Sequence, residues 1–172
     1  MLSCPPPSSS SARLTLREGD CILTYDPLDV SAIIKTVADD AAGATTVFIG
    51  TTRNSFNGRI VTSLEYHAYS KLAIKTMGRI LQNTVAAFPS DSCSSNATSP
   101  LRAAIHHRLG VVGVGQPSVV IAVSAPHRKE AFQVCEHILE EVKQKVQIWK
   151  REFYVDDEAE WKANTGDGAV TG

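Results

Sequence analysis

Apolar positions along this chain recur at two spacings, and the changes between them lay out the elements. Alternating or continuous β-branched runs predict strands, and a 3.6-residue period predicts helices. Cys21 to Tyr25 (CILTY) reads as a short strand ended by Pro27, and Val30, Ile33, Ile34 and Val37 then recur at helical spacing over 29–39. Thr45 to Thr51 (TTVFIGT) is β-branched and apolar, hence a strand. Asn57-Gly58 marks a turn, after which Ile60 to Ala68 alternates as the next strand. Residues 70–88 read as a helix with Ser70 as its N-cap and apolar residues at 73, 74, 77, 80, 81 and 85. Arg102 to Leu109 reads as a strand, 110–117 as a turn-rich link, and Ser118 to Ser124 (SVVIAVS) as a buried strand. A helix begins near Ala125-Pro126-His127 and carries the stripe Ala131, Val134, Cys135, Ile138, Leu139, Val142 and Val146. Ile148 to Val155 forms the last strand. Hairpin-like and crossover links are mixed, which predicts an α+β fold with a largely antiparallel sheet and about three helices.

Polar tracts bound this pattern. Residues 1 to about 12 are Pro/Ser-rich and expected to be disordered, with the tail reaching residue 18 and the domain spanning 19–163. The tract PSDSCSSNATSP, residues 89–100, reads as a flexible loop within the domain, and 164–172 as a fraying tail. Deleting 1–12 or shortening 89–100 is therefore expected to leave stability intact.

Composition narrows the class. A chain of 172 residues with 43% hydrophobic content suits one domain with a buried core. Lys plus Arg number 17 against 18 Asp plus Glu, a net charge of −1, which argues against a protein that coats nucleic acid. No apolar run approaches the roughly 18 residues of a membrane span. Cysteines at 4, 21, 93 and 135 show no C-x-x-C spacing. A structural zinc site and a disulfide framework are both disfavoured, and reduced cytosolic thiols are expected. The N-terminus MLSCPPPSSSSAR lacks the apolar core of a secretory signal and the regular amphipathic pattern of a transit peptide, so a cytosolic location is expected.

Four places carry candidate chemistry, and a fifth is set aside. The glycines of GVVGVGQPS, residues 110–118, precede a strand rather than a helix, so they read as a turn and not as a dinucleotide site. Arg53 follows a buried strand and opens a polar loop, a frequent location for functional side chains. His127-Arg128-Lys129 stand at a helix N-terminus, where basic residues oppose the dipole but suit an anionic ligand. Lys143 borders the apolar stripe beside Val142, which fits either a snorkelling lysine or a partly desolvated one able to move protons or attack a carbonyl. Trp149 and Lys150 take opposite faces of a strand, so with Trp149 inward Lys150 faces solvent or ligand. His106 and His107 likewise point to opposite faces and cannot share a metal, and the acidic run Asp156, Asp157, Glu158 and Glu160 reads as a solvated surface around Trp161. No metal cluster or carboxylate pair for phosphate-ester hydrolysis is apparent.

Taken in order, FIGTTRN (48–54), LEYHAY (64–69), IHHRLG (105–110), VSAPHR (123–128), KQKVQIWKRE (143–152) and Trp161-Lys162 resemble the molybdopterin synthase large (catalytic) subunit family. The resemblance covers about residues 19–163. It implies an α/β hammerhead-type α+β domain and a sulfurtransferase that adds two sulfurs to cyclic pyranopterin monophosphate, giving the dithiolene of molybdopterin in molybdenum cofactor biosynthesis. The sulfur comes from the thiocarboxylated Gly-Gly C-terminus of a small partner subunit, with no metal and no cofactor in the transfer itself. A heterotetramer built on a homodimer of large subunits is implied. Lys143 matches the catalytic lysine. Arg53, His127, Arg128, Lys143, Lys150, Arg151 and Glu152 match substrate-binding positions. Gln147 stands where the family usually has Pro. The competing reading is a non-catalytic anion-binding adaptor that holds the C-terminal tail of a partner, in which Lys143 would matter for affinity only.

Overall fold

A computed structural model of the chain describes residue 6 and residues 8–88, 101–155 and 160–163. The expected 89–100 loop, the 164–172 tail and residues 156–159 of the acidic run lie outside the described residues. In chain order the elements are β1 (Ala12–Leu16), β2 (Gly19–Thr24), α1 (Val30–Thr36), β3 (Ala44–Thr51), β4 (Ser55–Phe56), β5 (Arg59–Ala68) and α2 (Ser70–Ala87). They continue as β6 (Arg102–Arg108), β7 (Gly110–Gly113), β8 (Pro117–Ala125), α3 (Arg128–Lys145), β9 (Ile148–Tyr154) and β10 (Glu160–Ala163). One sheet has the order β1-β2-β6-β8-β3; the other runs β10-β9-β5-β4, with β7 also paired to β5. Only β2 with β6 is parallel among these pairings, so the α+β architecture with a largely antiparallel sheet is as expected. Among the described residues no helix is long and apolar enough to cross a membrane.

The first sheet is covered on both faces, and its alternating side chains divide between two cores. Ile121 and Val123 of β8 join Met77 and Leu81 of α2 and Ile138 of α3, while Val120 and Ala122 meet Ile33 and Val37 on the side of α1. Each fully buried Leu, Ile or Val contributes about 1.5–3 kcal/mol. The same alternation separates the two histidines of β6. His106 Nε2 lies 3.1 Å from Asp20 Oδ2, whereas His107 stacks edge-on against Tyr66, with ring centroids 4.9 Å apart.

The N-terminal segment departs from expectation. Ala12–Leu16 pairs with β2, and Ala12, Leu14 and Leu16 pack on the large core. The fit is close: a Cβ on Gly78 of α2 would run into the Leu14 side chain. Before it, Ser9 is 6% exposed, its Oγ accepts from Ala68 N at 3.1 Å and its carbonyl accepts from the Tyr25 hydroxyl at 3.0 Å. Polar serines thus order the chain through hydrogen bonds, which hydrophobic periodicity cannot register. Ser70 is likewise no N-cap. It is the first helical residue, and its Oγ accepts from Ser10 N at 2.9 Å, while Tyr69 occupies the cap position.

Three short strands were not anticipated: β4, β7 and β10. Each is four residues or fewer and exists through pairing with a longer neighbour. The Asn57-Gly58 turn closes β4 on β5 with φ of 48° and 76°, the left-handed values that this dipeptide accommodates in a tight hairpin.

Candidate active site

Two strand ends and one helix end converge on a single cavity. β3 runs antiparallel to β8 until Gly50, where the register shifts so that Thr51 opposes Pro117. The next residue, Thr52, is buried; its N–H donates to the Gln116 carbonyl at 3.2 Å and its carbonyl accepts from Gly115 N at 2.9 Å. These two bonds hold the strand end, from which Arg53 projects. The β4–β5 hairpin returns Phe56 to the same place, with the Arg53 Cζ 5.9 Å from the ring centre. Lys150 Nζ also lies 5.9 Å from the Phe56 centroid. Phe56 thus serves two cations, each at the outer range of a cation–π contact.

Lys143 comes from the last turn of α3, one residue past buried Val142. Lys150 comes from β9, opposite Tyr66 of β5. Trp149, its neighbour on the opposite face, is 43% exposed, so the condition of an inward Trp149 is not met, and Lys150 is turned to the cavity. Glu152, two residues on and therefore on the same face, sits with Oε1 at 3.4 Å from Lys150 Nζ. Its other oxygen accepts a short hydrogen bond from the Tyr154 hydroxyl. The Arg59 guanidinium covers the Tyr154 ring, 3.7 Å from its centre.

Arg53, Lys143, Lys150 and Glu152 all line a cavity of about 330 Å³. That is small-ligand size. Its lining also includes Tyr66, His107 and Ser118, all three buried. The Tyr66 hydroxyl donates to Ser118 Oγ at 3.3 Å, and Ser118 Oγ donates to the Gly50 carbonyl at 3.3 Å. Burial pulls the His107 pKa down to about 4, against a small opposing effect of the Arg108 carbonyl 2.8 Å from Nδ1. His107 is therefore neutral near pH 7, with Nδ1–H donating to that carbonyl. The cavity combines a cationic rim, one carboxylate and a floor of neutral polar groups. This suits an anionic substrate that also bears a polar ring.

The sequence-derived residues do not all meet here. His127 and Arg128 line a separate depression with Gly43, Pro126 and Lys129, at the opposite end of α3. The fifteen helical steps from Arg128 to Lys143 amount to about 22 Å. One ligand in the Lys143 cavity cannot touch both clusters of the same chain. Arg151 alternates away from Lys150 and Glu152; its Cζ lies 5.0 Å from the Phe153 ring centre, and it does not line the cavity. The residues that sequence reasoning passed over are Phe56, Tyr66, His107 and Ser118. Phe56 stands one position before the Asn57-Gly58 turn, a local signal that could have marked it.

Comparison with known proteins places this geometry. The family model described as MoaE protein matches residues 23–145, which include Arg53 and Lys143. The chain belongs to the MoaE family. A family relative from Aspergillus niger, named molybdopterin synthase catalytic subunit, is 44% identical over 142 residues, covering 83% of this chain and 73% of that protein. A relative from Aedes aegypti, molybdopterin synthase catalytic subunit 1, is 43% identical over 83% of this chain and 87% of its own length. Among solved structures, molybdopterin synthase from Staphylococcus aureus superposes with a TM-score of 0.73 at 29% identity, covering 81% of this chain and 94% of that one. The family match stops at residue 145, so β1 and β9 lie outside the segment the family model matches.

Proposed function

We propose that this chain is the catalytic subunit of a molybdopterin synthase, converting cyclic pyranopterin monophosphate to molybdopterin with sulfur from the thiocarboxylated C-terminus of a small partner subunit. The observation that carries the reading is the convergence of Arg53, Lys143 and Lys150 on one cavity beside neutral Tyr66, His107 and Ser118. Arg53 and Lys150 hold the phosphate by charge-assisted hydrogen bonds. The neutral floor receives the pterin. A Gly-Gly tail, free of side chains, threads the remaining opening and is drawn in by the same cations.

The chemistry needs no oxidant. The thiocarboxylate sulfur forms a bond to a side-chain carbon of the pterin, whose oxygen substituent departs with a proton. Water then cleaves the acyl–sulfur bond, leaving a carboxylate on the small subunit and the sulfur on the substrate. A second thiocarboxylate repeats the step at the adjacent carbon, and loss of water across the two carbons leaves the double bond of the dithiolene. Lys143 is the residue beside the reacting carbons, giving and accepting these protons. The sulfur arrives on the partner, so the reading assigns the chain no cofactor or metal of its own.

His127 and Arg128 reach a ligand in this cavity only from a second copy of the chain. The working unit is accordingly a homodimer of catalytic subunits carrying two small subunits. Its place is the cytosol, in keeping with the free buried thiols of Cys21 and Cys135. Arg151, turned away from the cavity, has no direct part in substrate binding. The test is to mix the chain with thiocarboxylated small subunit and the pyranopterin and to assay dithiolene. Product that disappears with Lys143→Ala, while small-subunit binding persists, is the expected result. No product from the wild type overturns the reading, and a Lys143→Ala chain that loses only affinity favours the adaptor.

A further inference from the structure

The two cavity lysines sit on either side of a single corner, the junction of α3 with β9, and one side chain ties that corner together. Gln147 stands between Val146, the C-cap of α3, and Ile148, the first residue of β9. Its Nε2 donates to the Lys145 carbonyl at 2.7 Å. Carbonyls of a last helical turn have no partner within the helix, so this bond closes the end of α3. Its Oε1 accepts from the Thr76 hydroxyl of α2 at 3.1 Å, a proton that Thr76 shares with the Leu72 carbonyl at 3.0 Å. Its own carbonyl accepts from Tyr69 N at 3.1 Å, where β5 passes into α2. Three bonds from one residue therefore join the end of α3, the start of α2 and the start of β9.

We infer that Gln147 is a positioning residue for the sulfur-transfer site, setting Lys143 and Lys150 relative to each other through Thr76. The inference rests on the proposed function for its catalytic consequence. Lys143 is fixed to the helix side of the corner and Lys150 to the strand side, and both line the same cavity. A change in corner angle therefore becomes a displacement of one ammonium group against the other. Misplacement by about 1 Å costs on the order of 100-fold in rate in well-organised sites, so a loosened corner is expected to be visible in turnover. Gln147 is not among the residues lining the cavity, so its proposed effect runs through the two lysines.

A covalent substitute for these hydrogen bonds is available. Val146 has φ −82° and ψ 134°, the extended conformation that a residue before proline adopts. Proline at 147 removes the side-chain bonds but restores stiffness through its ring. This separates the corner's rigidity from any chemical role of the amide.

The experiment compares Gln147→Ala, Thr76→Val, their double variant and Gln147→Pro in the assembled synthase, with two readouts. Hydrogen exchange follows the Tyr69 and Ile148 amides, and steady-state kinetics follow dithiolene formation. The expected result is faster exchange at both amides and roughly tenfold lower kcat in Gln147→Ala and Thr76→Val. The double variant should be no worse than Gln147→Ala, because both changes cut the same link. Small-subunit affinity and melting temperature should hold, and Gln147→Pro should recover most of the turnover. Faster exchange with unchanged kcat overturns the proposal, as does a loss of kcat that follows a loss of folded protein or that Gln147→Pro leaves unrepaired. An inactive wild type with intact exchange protection would instead count against the proposed function, not against the corner.

Discussion

Lys150 and Glu152 face the same way on β9, with Nζ 3.4 Å from Oε1 and side chains only 16% and 3% exposed. The pair gives the cationic cavity an internal counter-charge, and the Tyr154 hydroxyl holds the carboxylate from its other side. Replacing Glu152 by Ala removes this hydrogen bond to the buried Tyr154 hydroxyl. We expect a loss of about 1–3 kcal/mol, read as a lower urea midpoint. Glu152→Gln keeps an acceptor for Tyr154 and should recover most of that stability. It also leaves Lys150 without this counter-charge, so the affinity for the phosphate-bearing precursor, followed by titration calorimetry, should rise.

Lys143→Arg is the sharper test of proton transfer. It keeps the charge and much of the length, but arginine does not give up its proton near neutral pH. Product formation should fall as far as with Lys143→Ala, while the circular dichroism spectrum and melting temperature stay at wild-type values. Turnover close to wild type in Lys143→Arg would reduce the lysine to an anion holder.

Separation of the two basic clusters along α3 leads to a complementation experiment. Arg53→Ala should weaken precursor binding about 10- to 150-fold in every assembly, the cost of a charge-assisted hydrogen bond. Arg128→Ala and Lys143→Ala should each be inactive as homodimers. In a mixed dimer one cavity pairs wild-type Lys143 with wild-type Arg128, so activity should return on mixing and subunit exchange. Persistent inactivity in confirmed mixed dimers would remove His127 and Arg128 from the substrate site.

Two buried groups make the fold less stable in acid. The folded His107 pKa, at about 4, lies below its ordinary 6.5, because burial disfavours the charged ring. Between those values the unfolded chain binds a proton that the folded one does not. The contribution is therefore complete above pH 6.5 and declines as pH falls towards 4, by about 3 kcal/mol in all. Burial alone would raise the Asp20 carboxyl, but the hydrogen bond and charge of His106 and the charge of Arg13 outweigh it and hold it below 3.8. That stabilisation is present above the ordinary carboxylate value and is lost as pH falls through the lower folded one. Urea midpoints measured from pH 7 to 3 should show both declines, and His107→Gln should flatten the upper one.

Deletion of residues 1–12 should lower the melting temperature by several degrees, contrary to what the Ser/Pro composition suggests. It removes the Ser9 acceptor from Ala68 N and from the Tyr25 hydroxyl, the Ser10 donor to Ser70, and Ala12 from the edge of β1. Each buried hydrogen bond carries about 1 kcal/mol, and each kcal/mol is worth about 2–4 °C in a domain of this size. Differential scanning calorimetry of the shortened chain decides it, and an unchanged melting temperature would show these contacts to be dispensable.

The succession of elements and the inventory of cations are legible in the local pattern of the chain. SVVIAVS and TTVFIGT are strands because β-branched runs fit the pleated sheet, and the stripe from Ala131 to Val146 is a helix because 3.6-residue spacing leaves one apolar face. The ordered blocks from FIGTTRN to KQKVQIWKRE already pointed to the family. Periodicity states which side of its own element a residue takes, as with His106 and His107. It does not state what that side will meet. Only the register of β9 on β5 turned Lys150 towards the cavity and Trp149 towards the surface. Only the pairing of β3 with β8 and the packing of α3 against both brought Arg53 to Lys143, while the length of α3 carried His127 and Arg128 away. Those contacts join residues far apart in the chain, and their geometry is set by sheet register and helix length, which act after the local pattern has done its part.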